Sequence, residues 1–376
     1  MNILWIPHAP WREGAIGRDR HLIRHLIRRS HKIATVQWDV RQDFTDLASF
    51  NSILSRHRSK IHGAPAYFIR RLPDATRRFR SKPMEGASYN EWLFRRDVSW
   101  AIHDFEADIV ITAFSCYMTG YPPFDLDVPI VFDYLDYVSW EKNPYKPDLP
   151  YLQQTDAVLC VSRLIQERVE SFCSSAYYLP NGADVDDLRS ADGTEVRRRH
   201  GLEEATVVSL IGLNVGSGGL YFLDAVMQAK QEVPSLKCLL VGDSELVRDT
   251  AAELDPEGNV FCYVGGVPYE EVFDYYAASD VGLYPAIGKK YDDGRSPIKV
   301  FEYSARGTPV VAVPIREVRQ LSFDNLVFAE PEANAFAEGI QEAVQQSRVR
   351  VPEAEAYAWP SLARQLETIL ETLIDS

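Results

Sequence analysis

What most restricts the fold of this chain is a rhythm of short apolar strands and amphipathic helices that runs through it twice. The first series has strand signals at 2–7 (NILWIP), 33–39, 108–114, 129–134, 157–162 and 176–180. Between them, RDRHLIRHLIRRS places Leu22, Ile23, Leu26 and Ile27 on one helical face, and a helix is expected at 90–105, where Trp92, Phe94, Val98 and Ile102 recur. Residues 40–85 read as irregular, with one strand near YFIRR. A polar, turn-rich stretch from 181, NGADVDDLRSADG, reads as a junction. The second series has strands at 206–212, 237–243, 260–265, 281–285 and 309–313, with helices near 219–231, 244–254, 269–279, 296–305 and 332–346. A last amphipathic helix, 360–374, lines up Leu362, Leu366, Ile369 and Leu373. Alternating strand and helix implies parallel sheets covered on both faces. The expected architecture is α/β with two doubly wound domains in tandem. Such sheets bind ligands beyond the carboxyl ends of their strands, and if those ends face each other the site is the cleft between the domains.

The length, 376 residues, suits two domains of ordinary size. No apolar run approaches the ~18 residues of a membrane span. MNILWIPHAP reads as a first strand and not as a signal peptide. Cys116, Cys160, Cys173, Cys238 and Cys262 are scattered, which favours a reducing, cytoplasmic compartment and argues against structural zinc. Charge is unevenly spread: residues 1–104 hold 19 Lys and Arg against 10 Asp and Glu, the remainder 21 against 44. Nine of the basic residues lie between Arg56 and Lys82, with Tyr67, Phe68 and Phe79 among them. That stretch is a solvated face, or a surface for an anionic acceptor or an anionic membrane. Nucleic acid is not expected: no motif for it is present, and the acidic remainder would repel a phosphate backbone.

One segment, SPIKVFEYSARGTPVV (296–311), carries a cation and an anion on a helix that leads into a buried strand. Ser296 suits an N-cap and Pro297 the first helical position, so the helix start, with Ile298, would offer N–H groups and a positive dipole end to a phosphate. Lys299 and Glu302 share a side, about 4.5 Å apart along the axis. Either they pair with each other, or a nucleotide lies along this face with its diphosphate near Lys299 and its ribose hydroxyls on Glu302. The loop GLNVGSGGL (212–220), with Asn214, Gly216 and Gly218, follows a strand and could let backbone N–H groups approach phosphate. Gly14-Ala-Ile-Gly17 is its counterpart in the first series, and its lack of a full GxGxxG speaks against a nicotinamide dehydrogenase. Asp133 and Asp136, in FDYLDY at the end of a buried strand, are candidates for proton transfer or for strand-end capping, and His8 is a third candidate. Asp184-Val-Asp186 reads as a solvated turn, and Asp292-Asp293 as residues that shape a loop.

The segment "SPIKVFEYSARGTPVVA" resembles the donor-binding segment of group 1 (family 4-like) glycosyltransferases of the GT-B fold. Other pieces come in that family's order. "LPNGAD" (179–184) looks like its interdomain turn, and "VSLIG" with the Gly-rich loop like its first C-domain strand. "VFCYVGGVPYEEVFDYYAASDVGLYP" resembles its base-contacting turn, helix and short strand, "FDYLDY" its N-domain catalytic segment, and "YAWPSLARQL" the start of its last helix. The resemblance covers most of 129–374 and is densest over 179–313. Two departures stand out. Gly294 occupies the position eight before Glu302, where the family often has a second Glu. The loop 212–220 lacks the family's Arg and Lys, leaving Lys299 and Arg295 as cations for a diphosphate.

The resemblance implies a GT-B fold: two Rossmann-like domains facing across a cleft, residues 1–181 binding the acceptor and 182–358 the nucleotide-sugar, with 359–376 returning to the N-domain. It implies a glycosyltransferase acting in polysaccharide, glycolipid or other glycoconjugate synthesis. The donor would meet Ser296, Pro297, Ile298, Lys299, Glu302, Arg295, Asn214, Gly216, Gly218, Gly17 and, at its base, Val264 and Gly265. Asp136, Asp133 and His8 would be the catalytic candidates. No metal or other cofactor is expected. The acceptor would be a glycan, a lipid-linked sugar or a small molecule, met in the cytoplasm or at the inner face of the membrane. A sugar-nucleotide epimerase of the same fold and a non-catalytic nucleotide-sugar binding protein are the alternatives.

Overall fold

The computed structural model describes residues 1–7, 17–38, 57–61, 64–69, 84–113, 126–135, 152, 154–173, 175–287 and 292–375. It divides into two compact units, Met1–Leu179 with Ala363–Ser376, and Pro180–Leu362.

In the first unit the chain runs β1 (Asn2–Ile6), α1 (Arg18–Arg28), β2 (Lys32–Trp38), β3 (His57–Ile61), β4 (Ala64–Ile69), α2 (Met84–Phe105), β5 (Ile109–Ala113), β6 (Ile130–Tyr134), β7 (Ala157–Cys160), α3 (Arg163–Glu170) and β8 (Ala176–Tyr178). One sheet forms in the order β3-β4-β2-β1-β5-β6-β7-β8. Every pair is parallel except β3 with β4. The chain moves outward from β1 in one direction, then returns to β5 and moves outward in the other, so the switch point lies between β1 and β5. Strands β5 and β6 are buried at every residue, as both-face coverage requires. Leu22, Ile23 and Leu26 of α1 are buried, but Ile27, in its last turn, is exposed, contrary to the sequence pattern. The stretch expected to hold one strand near YFIRR contains an antiparallel hairpin at the sheet edge, β3 against β4, with β4 overlapping the expected strand.

The second unit runs α4 (Val185–Ser190), α5 (Thr194–Arg199), β9 (Thr206–Ile211), α6 (Tyr221–Glu232), β10 (Leu236–Val241), α7 (Glu245–Leu254), β11 (Phe261–Gly265), α8 (Tyr269–Ala278), β12 (Val281–Tyr284), α9 (Ile298–Ala305), β13 (Val310–Ala312), α10 (Arg316–Arg319), β14 (Leu326–Phe328) and α11 (Ala333–Ala343). Its sheet is wholly parallel, in the order β11-β10-β9-β12-β13-β14. The direction reverses between β9 and β12. Two short helices, α4 and α5, occupy the junction read as turns, because Val185, Leu188 and Val196 have a core to enter.

The last helix, α12 (Trp359–Ile374), buries Leu362, Leu366, Ile369 and Leu370. Within the first unit Glu367 accepts from Arg29 Nε at 2.7 Å and meets His31 Nε2 at 2.7 Å, while Gln365 Nε2 donates to the Tyr178 carbonyl at 2.8 Å. The C-terminal helix is thus tied to the end of α1.

Candidate functional site

In the second unit the switch point is where Lys299 lies. Strand β9 is followed by Gly212, whose φ of +77° a side chain would resist. A Cβ there would stand 3.2 Å from Lys299 Cε and 3.4 Å from Nζ. The glycine therefore lets the strand turn out of the sheet and leaves room for the lysine stem beside its end. Burial lowers the Lys299 pKa, opposed by the Glu302 charge and reinforced by Arg295.

Glu302 sits one turn on, 9% exposed. It does not close an ion pair with Lys299: its Oε2 accepts a short hydrogen bond from the Tyr276 hydroxyl of α8. Burial pushes the Glu302 pKa up to about 7, against the Tyr276 hydrogen bond and the Lys299 charge, which lower it, and with Asp184, which raises it. The neighbouring Tyr303 donates to the Ser209 carbonyl of β9 at 3.0 Å. Its ring lies so close to β12 that a Cβ on Gly282 would meet it at 2.4 Å. This packing fixes α9 against both strands of the switch point.

The start of α9 differs from expectation. The helix begins at Ile298, with Pro297 as its N-cap. The Ser296 hydroxyl accepts the Asn181 N–H at 2.9 Å instead of capping the helix, and the Ser296 carbonyl accepts Asn181 Nδ2 at 3.3 Å. The N–H groups of Ile298, Val300 and Phe301 turn back on the carbonyls of Ser296 and Pro297. A phosphate at this end would meet fewer free N–H groups than a Ser-capped helix offers.

The remaining expected residues divide into several groups. Asn214, Gly216 and Gly218 are exposed in a loop that closes into a 3₁₀ turn, Ser217–Gly219, before α6. Arg295 is exposed and pairs with Asp292 at 3.3 Å. Asp292 accepts the Ile287 N–H at 2.9 Å and Asp293 the Arg316 N–H at 2.9 Å, so both shape their loop. At the turn Val264-Gly265-Gly266, the Gly265 carbonyl already accepts the Gly242 N–H at 2.7 Å, and the Gly266 N–H donates to Asp243 at 2.8 Å. Asp184 is no solvated turn: it is 5% exposed and accepts the Tyr269 hydroxyl at 2.8 Å, and only Asp186 is solvated. The turn packs down because Ala183 pairs with Ala358 and so draws Asp184 inward.

In the first unit Asp133 is 1% exposed on β6, and its Oδ2 accepts from Arg18 Nε at 3.2 Å. Arg18 opens α1 directly after its N-cap, Gly17. His8, Asp136 and the segment Gly14–Ile16 lie outside the described residues. A separate cavity of 440 Å³ opens beyond β13, lined among others by Asp293, Val313, Arg316, Arg319 and Glu330, and not by Lys299 or Glu302. Among the described residues no group of three or more potential metal ligands occurs, and no helix is long and apolar enough to cross a membrane.

Sequence reasoning missed Tyr276 and Arg18. A tyrosine on the buried side of α8 was a signal, since a buried hydroxyl needs an acceptor. Arg18 gave none, because a basic residue at a helix start reads as solvated.

Residues 206–346 match the family described as glycosyl transferases group 1. The chain is 28% identical over 227 residues to a phosphatidyl-myo-inositol mannosyltransferase of Mycobacterium tuberculosis, covering 56% of this chain and 57% of the relative. The chain thus spans little more than half the length of the curated relatives it matches. Among solved structures, sucrose-phosphate synthase from Thermosynechococcus elongatus superimposes with a TM-score of 0.68 at 15% identity, over 100% of this chain and 99% of the other. Anabaena HepE, in complex with UDP and glucose, gives 0.66 at 15% identity, over 99% and 100%. The second unit thus resembles the group 1 glycosyltransferases over residues 206–346, and the chain shares the two-sheet fold of these structures.

Proposed function

We propose that this protein is a glycosyltransferase that moves a hexose from a nucleoside-diphosphate sugar, held on residues 182–358, to an acceptor hydroxyl held on residues 1–181 with 359–376. The observation that carries the reading is Lys299 beside the end of β9, one turn from a Glu302 carboxylate whose only hydrogen bond among the described residues comes from a neutral hydroxyl. A cation and an anion so placed suit a diphosphate and a ribose diol. Sugar transfer needs the departing diphosphate stabilised by positive charge, and Lys299 with Arg295 would supply it without a metal ion. The acceptor hydroxyl also needs a proton acceptor if the anomeric centre inverts. Asp133 is engaged by Arg18, so His8 and Asp136 are the better bases to test.

The acceptor we favour is lipid-linked, met at an anionic inner membrane face. Support comes from the mycobacterial relative, whose name specifies a phosphatidylinositol acceptor, and from the exposed Arg58 and Lys60 of β3. Co-sedimentation with anionic vesicles, abolished by salt, is the expected result; binding indifferent to both lipid charge and salt would remove this part.

The donor site is tested by thermal unfolding with UDP, GDP and dTDP, on wild type and Lys299→Ala. A ligand at 100 times its Kd adds about 2.7 kcal/mol, a shift of several degrees. We expect one nucleotide to stabilise the wild type and to lose that effect in the variant. A shift that survives Lys299→Ala and Glu302→Ala unchanged would refute the site.

A further inference from the structure

Tyr276 lies in the last turn of α8, buried, with its ring edge-on to Tyr303 at a centroid distance of 4.7 Å. Its hydroxyl donates to Glu302 Oε2, and among the described residues no other side chain hydrogen-bonds that carboxylate. Oε2 is therefore committed and Oε1 is open. We propose that Tyr276 is a positioning residue for the nucleotide: by holding Oε2 it turns Glu302 so that Oε1 accepts from the ribose hydroxyls of the bound nucleoside diphosphate. This rests on the donor site proposed above.

Two physical effects make the hydroxyl more than packing. A glutamate side chain has rotamers to lose on binding, and a carboxylate already fixed loses fewer. The hydroxyl also favours the ionised carboxylate, the form that accepts from both hydroxyls of a diol. The groups facing Glu302 are Lys299 on its own helix, Tyr276 on α8, Asp184 ahead of α4, and the neighbouring Tyr303. Tyr276 and Lys299 favour the charged form; burial and Asp184 oppose it. Without the hydroxyl, burial is less opposed and Glu302 stays protonated to a higher pH.

The test uses Tyr276→Phe, which keeps the ring, with Tyr276→Met, which also lacks the hydroxyl, measured beside it. Affinities for UDP and GDP and for their 2′,3′-dideoxy counterparts are taken at pH values either side of the Glu302 pKa of about 7. For the nucleotide that binds wild type, we expect about tenfold weaker binding at neutral pH, partly recovered in alkali. We expect no change for the dideoxy form, which has no hydroxyls to present. An equal loss on both forms, or an unmoved pH midpoint, would mean that Tyr276 only supports the fold and would overturn the proposal. Glu302→Ala separates the two levels. If it leaves the preference for hydroxyl-bearing nucleotides intact, or if no nucleotide binds wild type, the donor site itself fails and this inference with it.

Discussion

Two buried carboxylates, one in each unit, meet partners of opposite kinds. Asp133 on β6 meets the guanidinium of Arg18 at 3.2 Å. Glu302 on α9 meets a neutral hydroxyl, with Lys299 acting on it only through space. A carboxylate held by a full charge has its own charge offset. One held by a dipole keeps an unmet electrostatic demand, which is the state a binding site needs before its ligand arrives. Burial alone would not have told the two apart; the identity of the partner does.

The largest effect should come from breaking the first arrangement. Arg18→Ala leaves Asp133 buried without that guanidinium and should destabilise the first unit by about 3 to 5 kcal/mol in urea unfolding. A change under ~1 kcal/mol would show that the pair is not what holds β6 to α1, and would return Asp133 to the catalytic candidates.

The second arrangement should show itself through pH. The Glu302 pKa is raised in the folded protein, so its contribution favours the fold in acid and fades as pH rises through about 7. The whole effect is at most roughly 3 kcal/mol. Glu302→Gln should flatten that part of the stability profile of the nucleotide-free protein while leaving the acid limb in place. An unchanged slope between about pH 5 and 8 would mean that Glu302 is ionised throughout, and that the contrast with Asp133 is one of geometry alone.

How far these sites could be read from the sequence follows from the same physics. Five of the six strands of the second unit were legible because each is an apolar run bounded by turn residues, and their ends fell within a residue or two of expectation. Lys299 and Glu302 stood out because opposite charges one turn apart, on a helix otherwise apolar, need a reason. Strand β14 was missed: Leu326–Phe328 is as short as β13 but buries only its middle residue, at the edge of the sheet. Of the edge hairpin, β4 overlaps the strand expected near YFIRR, while β3 was hidden by its basic residues, which belong to an exposed strand and suppress the apolar signal. Partners distant in sequence were not legible at all. Tyr276 with Glu302 and Arg18 with Asp133 meet only because parallel sheets bring together the ends of strands far apart in the chain.

The smallest effect makes the sharpest control, because its sign is reversed. Glu367, on α12, is held by Arg29 and His31, and the Arg29 hydrogen bond, ahead of His31, draws its pKa below the ordinary carboxylate value. Its contribution is therefore present above that ordinary value and lost as pH falls through the lowered one, the opposite of Glu302. Because Arg29 is well exposed, Glu367→Gln should cost no more than about 1 kcal/mol at neutral pH, and less in high salt. In acid the variant and wild type should converge. If Glu367→Gln and Glu302→Gln instead changed the pH profile in the same direction, partner identity would not be what separates these carboxylates. The reading of Glu302 as a site left open for a ligand would then lose its physical basis.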